Sequence, residues 1–247
     1  MVRIGISGVC GRMGKRIACL ALSDPEFQIT CALEKKETGC VGKSLGKILE
    51  KEGASLVITS DLRKVRADID CLIDFTLPEA SLNHLEICRE NNISMVIGTT
   101  GFDSHGESKI QRASKDIPIV FSPNMAIGVN LVFSIVSQAA RVLGRDFSVK
   151  IDETHHARKK DSPSGTAKKI RDTIKTAAGI EAPIEAFREG EVIGNHGIIF
   201  DGMYETIEIR HNAKSRDVFA AGALKAAKFL SGKQPGLYDM SDVLGLK

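Results

Sequence analysis

Between Asp152 and Thr166 the chain concentrates groups that could do chemistry: Asp152-Glu153-Thr154-His155-His156-Ala157-Arg158-Lys159-Lys160-Asp161-Ser162-Pro163-Ser164-Gly165-Thr166. On an extended strand alternate side chains share a face, so Phe147, Val149, Ile151, Glu153 and His155 point one way and His156 the other. The two imidazoles therefore have different jobs. One can donate a proton near neutral pH and one can hydrogen-bond a carboxylate, while Lys159, four residues after His155, adds a fixed cation. Pro163-Ser164-Gly165-Thr166 then reads as a helix start, where free backbone N–H groups and the hydroxyls of Ser164 and Thr166 form an anion site. Such a set suits a substrate that carries carboxylates. Adjacent histidines could also ligate a metal, but no third ligand stands at a familiar spacing, so no metal is expected. Arg216 is either a further carboxylate contact or a salt bridge between domains. His84, His105, His196 and His211 read as structural.

A second anion site is written near the start of the chain. The strand-like run Val2–Ser7 leads into Gly8-Val9-Cys10-Gly11-Arg12-Met13-Gly14 and then a helical pattern. Backbone N–H groups of such a turn, unobstructed by Cβ atoms, can hydrogen-bond a pyrophosphate at the positive end of the helix. The spacing departs from G-x-G-x-x-G, because Cys10 and Met13 occupy the second and third glycine positions. Glu34, twenty residues after Gly14 at the end of the next strand, stands where a carboxylate accepts from adenosine ribose hydroxyls. Lys35 and Lys36 follow it, either as solvated lysines or as partners for a 2′-phosphate, so both NADH and NADPH are expected to serve. Asp74-Phe75-Thr76, Gly98-Thr99-Thr100-Gly101-Phe102 and Phe121-Ser122-Pro123-Asn124-Met125 fall at the ends of successive strands. In an open parallel sheet that edge holds the cofactor, which makes Phe75, Gly98, Thr99, Thr100, Ser122, Pro123, Asn124 and Met125 candidates to line a trough.

The elements that must position these groups follow from periodicity. Strands are predicted at Val2–Ser7, Phe27–Leu33, Leu56–Thr59, Cys71–Phe75, Ser94–Gly98 and Ile117–Phe121, with helices over 11–22, 78–91 and 104–115 between them. That alternation predicts a parallel sheet wound with crossover helices, a dinucleotide-binding α/β domain over residues 1–126. After Asn124 the pattern changes to helix 129–143, strand 147–153, helix 164–178 and strands near 184–187, 197–200 and 204–210. This predicts a smaller α+β domain over 127–215, for substrate binding and oligomerisation, with an antiparallel or mixed sheet. A small-residue helix, 217–230, returns to complete the first domain with 216–247.

Composition sets the outer limits. The 247 residues are 43% hydrophobic and 26% charged, the balance of a globular protein, with a net charge of +3 and no tryptophan. No basic block interleaved with aromatics supports a nucleic-acid surface. Neither a signal peptide nor an apolar run of membrane-spanning length is expected, and the six cysteines, none in C-x-x-C, read as reduced small hydrophobes of a cytoplasmic protein.

In this order the segments resemble the dihydrodipicolinate reductase family of bacterial diaminopimelate and lysine biosynthesis. The resemblance rests on Gly11-Arg12-Met13-Gly14, Asp74-Phe75-Thr76, Val96–Phe102, the block Glu153–Thr166 with Pro163-Ser164-Gly165-Thr166-Ala167, and the tail Phe229–Gly232 with Gly236–Met240. It implies reduction of a cyclic dicarboxylate by NADH or NADPH. It further implies that Gly8, Val9, Cys10, Gly11, Arg12 and Met13 hold the pyrophosphate, Glu34 the adenosine ribose, and Gly98–Thr100 with Ser122–Met125 the nicotinamide half. His155 is implied as proton donor and Lys159 as a second acid that helps the hydroxyl leave. His156, Gly165 and Thr166 are implied as substrate contacts, and the assembly as a homotetramer. Cys10 departs from the glycine or alanine usual in the family, and the chain is shorter than the longer members around 182–195.

Overall fold

The computed structural model describes residues 1–64 and 68–247, and its chain divides into two compact units. The first comprises Met1–Met125 and Phe219–Gly245. Its strands are β1 (Val2–Ser7), β2 (Phe27–Leu33), β3 (Cys71–Asp74), β4 (Ser94–Ile97), β5 (Pro118–Phe121) and β10 (Gly236–Tyr238). All pair in parallel, in the order β10-β5-β4-β3-β1-β2. The helices α1 (Arg12–Leu22), α2 (Leu45–Leu49), α3 (Pro78–Glu90), α4 (Ser104–Ala113), α7 (Asp217–Leu230) and α8 (Met240–Leu244) complete the unit, α7 from Phe219 onward. The strands read as near-continuous apolar runs because both faces of the sheet are covered. On one side Ile4, Ile6 and Ile73 pack with Ile17, Ala21, Ala223 and Ala227; on the other Leu72, Met95 and Ile119 pack with Leu85, Cys88 and Ile110.

Two expectations for this unit need correction. Leu56–Thr59 is not a strand. Thr59 bridges Leu33 and Val57 bridges Ser44, so the segment divides its hydrogen bonds between two partners and no ladder develops. The sixth strand is instead β10, whose three residues are too few for any alternation to be legible.

The second unit, Ala126–Val218, contains α5 (Ile127–Leu143), β6 (Ser148–His155), α6 (Gly165–Ala178), β7 (Ile184–Arg188), β8 (Asn195–Asp201) and β9 (Thr206–Asn212). Its sheet runs β7-β6-β8-β9 and is mixed: β7 lies parallel to β6, and the other pairs are antiparallel. Strict alternation on β6 buries Val149, Ile151, Glu153 and His155. Val149 and Ile151, with the cross-strand partners Phe200 and Ile198, pack against Val132, Val136 and Ala140 of α5 and Ile170 and Ile174 of α6. The helical segment Ile127–Asp146, 20 residues long, is long and apolar enough to cross a membrane by length and composition, contrary to expectation. Its Val132, Val136 and Ala140 are used in this core.

Candidate active site

At the C-terminal edge of the first sheet, Gly8 takes a left-handed conformation (φ 75°) that turns the chain out of β1. Gly14 explains the shifted glycine spacing. A Cβ there would collide with the Gly8 carbonyl and lie 2.6 Å from Val9 Cα, so only glycine lets α1 pack on the turn that precedes it. No side chain caps α1, so its first-turn N–H groups are offered to whatever binds there. Cys10 and Met13 are half-buried and Arg12 and Gly11 exposed, whereas Val9 is a core residue that can serve the turn only through its backbone.

Glu34 stands at this turn. Its Oε2 accepts from Cys10 N at 2.9 Å and its Oε1 from Lys35 N at 3.0 Å, while the Lys35 side chain is exposed. Burial, then the neighbouring thiol of Cys40, pushes the Cys10 thiol up to about 12, and burial does the same for Cys31. All six cysteines are free.

The next strand ends converge on the same edge. Asp74 at the end of β3 is fully buried and accepts from Thr76 Oγ1 (2.7 Å) and Thr99 Oγ1 (2.9 Å), with His84 Nδ1 at 2.7 Å. Burial pushes its carboxyl up, but His84, Thr76 and Thr99 together hold it below the ordinary carboxylate value. The Phe75 ring occupies the place a Cβ on Gly98 would need. Thr99 and Ser122 are buried, with Ser122 Oγ donating to Asn124 O at 2.9 Å. Thr100 and Pro123 are exposed, and Met125 belongs to the core. The Asp74 and His84 partnership was not legible beforehand, since ten positions on a strand-to-helix crossover carry no contact signal.

In the second unit β6 delivers Glu153 and His155 to one buried cluster. His155 Nδ1 lies 2.6 Å from Glu153 Oε2, and the other oxygen, Oε1, accepts from Ser164 N at 3.0 Å and from Arg188 Nη1 and Nη2 at 3.2 Å. Arg188 Nη2 also donates to the Asp161 carbonyl at 2.6 Å, fastening the loop that leads to α6. Burial lowers the His155 pKa and the adjacent Glu153 charge opposes it. His196 packs edge-on to His155, ring centroids 5.3 Å apart, and His211 follows at 6.0 Å. Burial and then the charge of His155 depress His196 to about 4, which keeps it neutral. His196 and Arg188 thus join Glu153 and His155 in the cluster, His196 having read as structural and Arg188 having carried no sequence signal. Cross-strand register supplies the link, for Glu153 pairs with His196, which pairs with His211, and His155 with Arg188.

Glu153, His155 and His196 also bring potential ligand atoms within 4.8 Å of one another, a third-ligand geometry that spacing along the chain did not reveal. The Arg188 guanidinium on the same carboxylate opposes a second cation there. His156 lies just past the strand, half-buried, with Nδ1 enclosed. Lys159 Nζ pairs with Asp161 at 2.8 Å. Ser164 caps α6 by accepting from Ala167 N at 3.2 Å, so its own groups are engaged, whereas Gly165 is exposed with open space around it and Thr166 is half-buried. Arg216 is exposed.

Residues 2–125 match the model of the dihydrodipicolinate reductase N-terminus and residues 128–244 that of its C-terminus. A 4-hydroxy-tetrahydrodipicolinate reductase of Syntrophotalea carbinolica is 40% identical over 267 residues, and one of Trichlorobacter lovleyi 41%, each covering 100% of both chains. Among solved structures, a dipicolinate-bound dihydrodipicolinate reductase from Paenisporosarcina sp. TG-14 superposes with a TM-score of 0.81 at 25% identity, over 97% of both chains. A probable dehydrogenase from Thermotoga maritima, 12% identical with a TM-score of 0.68 over 99% of this chain and 93% of its own, shares the fold. The chain belongs to the dihydrodipicolinate reductase family.

Proposed function

We infer that this chain reduces 4-hydroxy-tetrahydrodipicolinate to tetrahydrodipicolinate with NADH or NADPH, releasing water. The observation that carries the reading is a buried, carboxylate-paired imidazole on the same strand-loop-helix segment as the N-terminus of α6, where Gly165 is exposed with open space around it: a proton donor beside an anion site. In this reading Gly165 and Thr166 bind one substrate carboxylate at the start of α6, and His156 and Arg216 reach the other. Each charge-assisted hydrogen bond contributes about 1.5–3 kcal/mol. Lys159 protonates the departing hydroxyl while the neighbouring ring carbon gives up a proton, so that water is lost; hydride then adds to the conjugated ring and His155 protonates the ring carbon or nitrogen that gains electron density, a net uptake of one hydride and one proton.

In the first unit the turn from Gly8 to Met13 fits a diphosphate, because Gly14 lets α1 pack closely on the turn and no side chain caps the helix. When bound, a reduced nicotinamide supplies the hydride. Gly98, Thr99 and Thr100 with Phe75 and Ser122–Met125 would hold its ring side, and Asp74 fixes Thr76 and Thr99 in place. Edge strands of the second sheet offer the route to a homotetramer.

The reaction is tested by following reduced nicotinamide oxidation with freshly condensed pyruvate and aspartate semialdehyde. Turnover that requires both nucleotide and condensation product is expected; no oxidation with either nucleotide would refute the reading. Glu34→Gln is expected to raise KM for NADH about tenfold, through loss of one charge-assisted bond to ribose, and to change KM for NADPH far less. Equal effects on both nucleotides would remove Glu34 from the ribose site.

A further inference from the structure

We propose that Glu153 is a positioning residue that fixes which nitrogen of His155 delivers the proton and ties that nitrogen to the anion site at the start of α6. The proposal rests on His155 being the proton donor. Glu153 is fully buried, and a buried carboxylate survives as an anion only when its oxygens are taken up. Here Ser164 N–H and the Arg188 guanidinium occupy Oε1 by hydrogen bonds, while Oε2 has only the ion-pair contact with His155 Nδ1 and no hydrogen bond. Burial pushes the carboxyl up, but Ser164, His155 and Arg188 together hold it below its ordinary value.

Two consequences follow for His155. The 2.6 Å contact with an ionised oxygen is an ion pair without a hydrogen bond of good geometry, and because two lone pairs at that separation repel, it favours the hydrogen on Nδ1. The working atom is therefore Nε2. Gly194 stands beside it: a Cβ there would come 3.0 Å from Nε2 and 3.4 Å from Cδ2, so the absence of a side chain keeps that edge clear. Around the ring, Lys159 and Arg188 disfavour the imidazolium and Glu153 favours it. His196 of β8 and, behind it, His211 of β9 are both shifted downward. Because the same carboxylate holds Ser164 N–H, the proton donor and the helix start that receives the substrate carboxylate share one anchor.

Glu153→Gln separates these roles. Its amide oxygen can keep Ser164 and Arg188, but its NH2 then faces Nδ1 and forces the hydrogen onto Nε2 in the neutral ring. The expected result is a fall in kcat of about 10²–10⁴-fold with KM for the dicarboxylate changed only a few fold. The alkaline limb of kcat moves to lower pH, since removing the negative charge makes the imidazolium easier to deprotonate. Glu153→Asp, which keeps the charge, restores part of kcat, and adding Glu153→Gln to His155→Ala costs nothing further. Independently of turnover, ¹⁵N histidine spectra of the wild-type protein should show Nδ1–H for neutral His155. An Nε2–H tautomer in the wild type overturns the proposal even if the Gln variant fails to fold. So does a folded Gln variant with wild-type kcat and pH profile. If the wild type has no reductase turnover while the spectra show Nδ1–H, the functional reading fails and the positioning of His155 by Glu153 stands.

Discussion

His155→Ala is expected to reduce kcat by about 10²–10⁴-fold while leaving the affinity for NADH and NADPH unchanged. The loss should be this large because the imidazole is the proton source in the proposed chemistry and is held by Glu153 in one orientation. The sign of the pH dependence follows from the same geometry. A general acid must be protonated, so wild-type kcat falls as pH rises through the His155 pKa, which burial holds below the ordinary histidine value. The variant should lose that limb and run at a low, nearly pH-independent residual rate. Its coenzyme affinity should persist because the glycine turn belongs to the other unit. Steady-state kinetics across pH decides the matter. Wild-type turnover in the variant, or an unchanged alkaline limb, removes His155 from proton donation.

Asp74→Ala should destabilise the protein by about 3 kcal/mol or more. The carboxylate is fully enclosed, and its removal leaves the Thr76 and Thr99 hydroxyls and His84 Nδ1 without their common acceptor. Because the folded carboxyl sits below its ordinary value, this stabilisation is present above the unfolded carboxylate pKa and disappears as pH falls through the folded one. Denaturant unfolding of wild type and variant at neutral and acidic pH should therefore give a difference that narrows in acid. A difference under 1 kcal/mol at neutral pH, or one that does not change with pH, contradicts this account of the network. KM for the coenzyme should rise as well, since Thr76 and Thr99 stand at the strand edge assigned to it.

Much of this architecture is written in local pattern. Val2–Ser7, Phe27–Leu33 and Asp217–Leu230 have the bounds that periodicity predicts, because each is long and strongly patterned. Leu56–Thr59 misled because a β-branched run looks the same whether its partners form one ladder or two isolated bridges. At the site, the alternation that puts Glu153 and His155 on one face is local and was legible. The meeting of His155 with Arg188 and His196 depends on which strands flank β6, and nothing within the segment records that. Ser164 shows a role that the sequence does not spell out. Its hydroxyl suggests an anion contact; the structure adds that Oγ also caps α6 by accepting from Ala167 N, and that its N–H is given to Glu153. Gly14 was ambiguous until packing showed that close approach of α1 to the turn, rather than the spelling of the motif, is what demands glycine.

The account turns on a carboxylate-binding helix start and a proton-donating His155 acting on the same molecule. A crystal structure of the protein with NADH and pyridine-2,6-dicarboxylate, a planar mimic of the substrate, tests this most directly. The account predicts one ligand carboxylate on the N–H groups of Gly165 and Thr166, Nε2 of His155 turned toward the ring, and the nicotinamide stacked within hydride-transfer distance of it. A dicarboxylate bound away from α6, or His155 directed to bulk solvent with both ligands present, would contradict it.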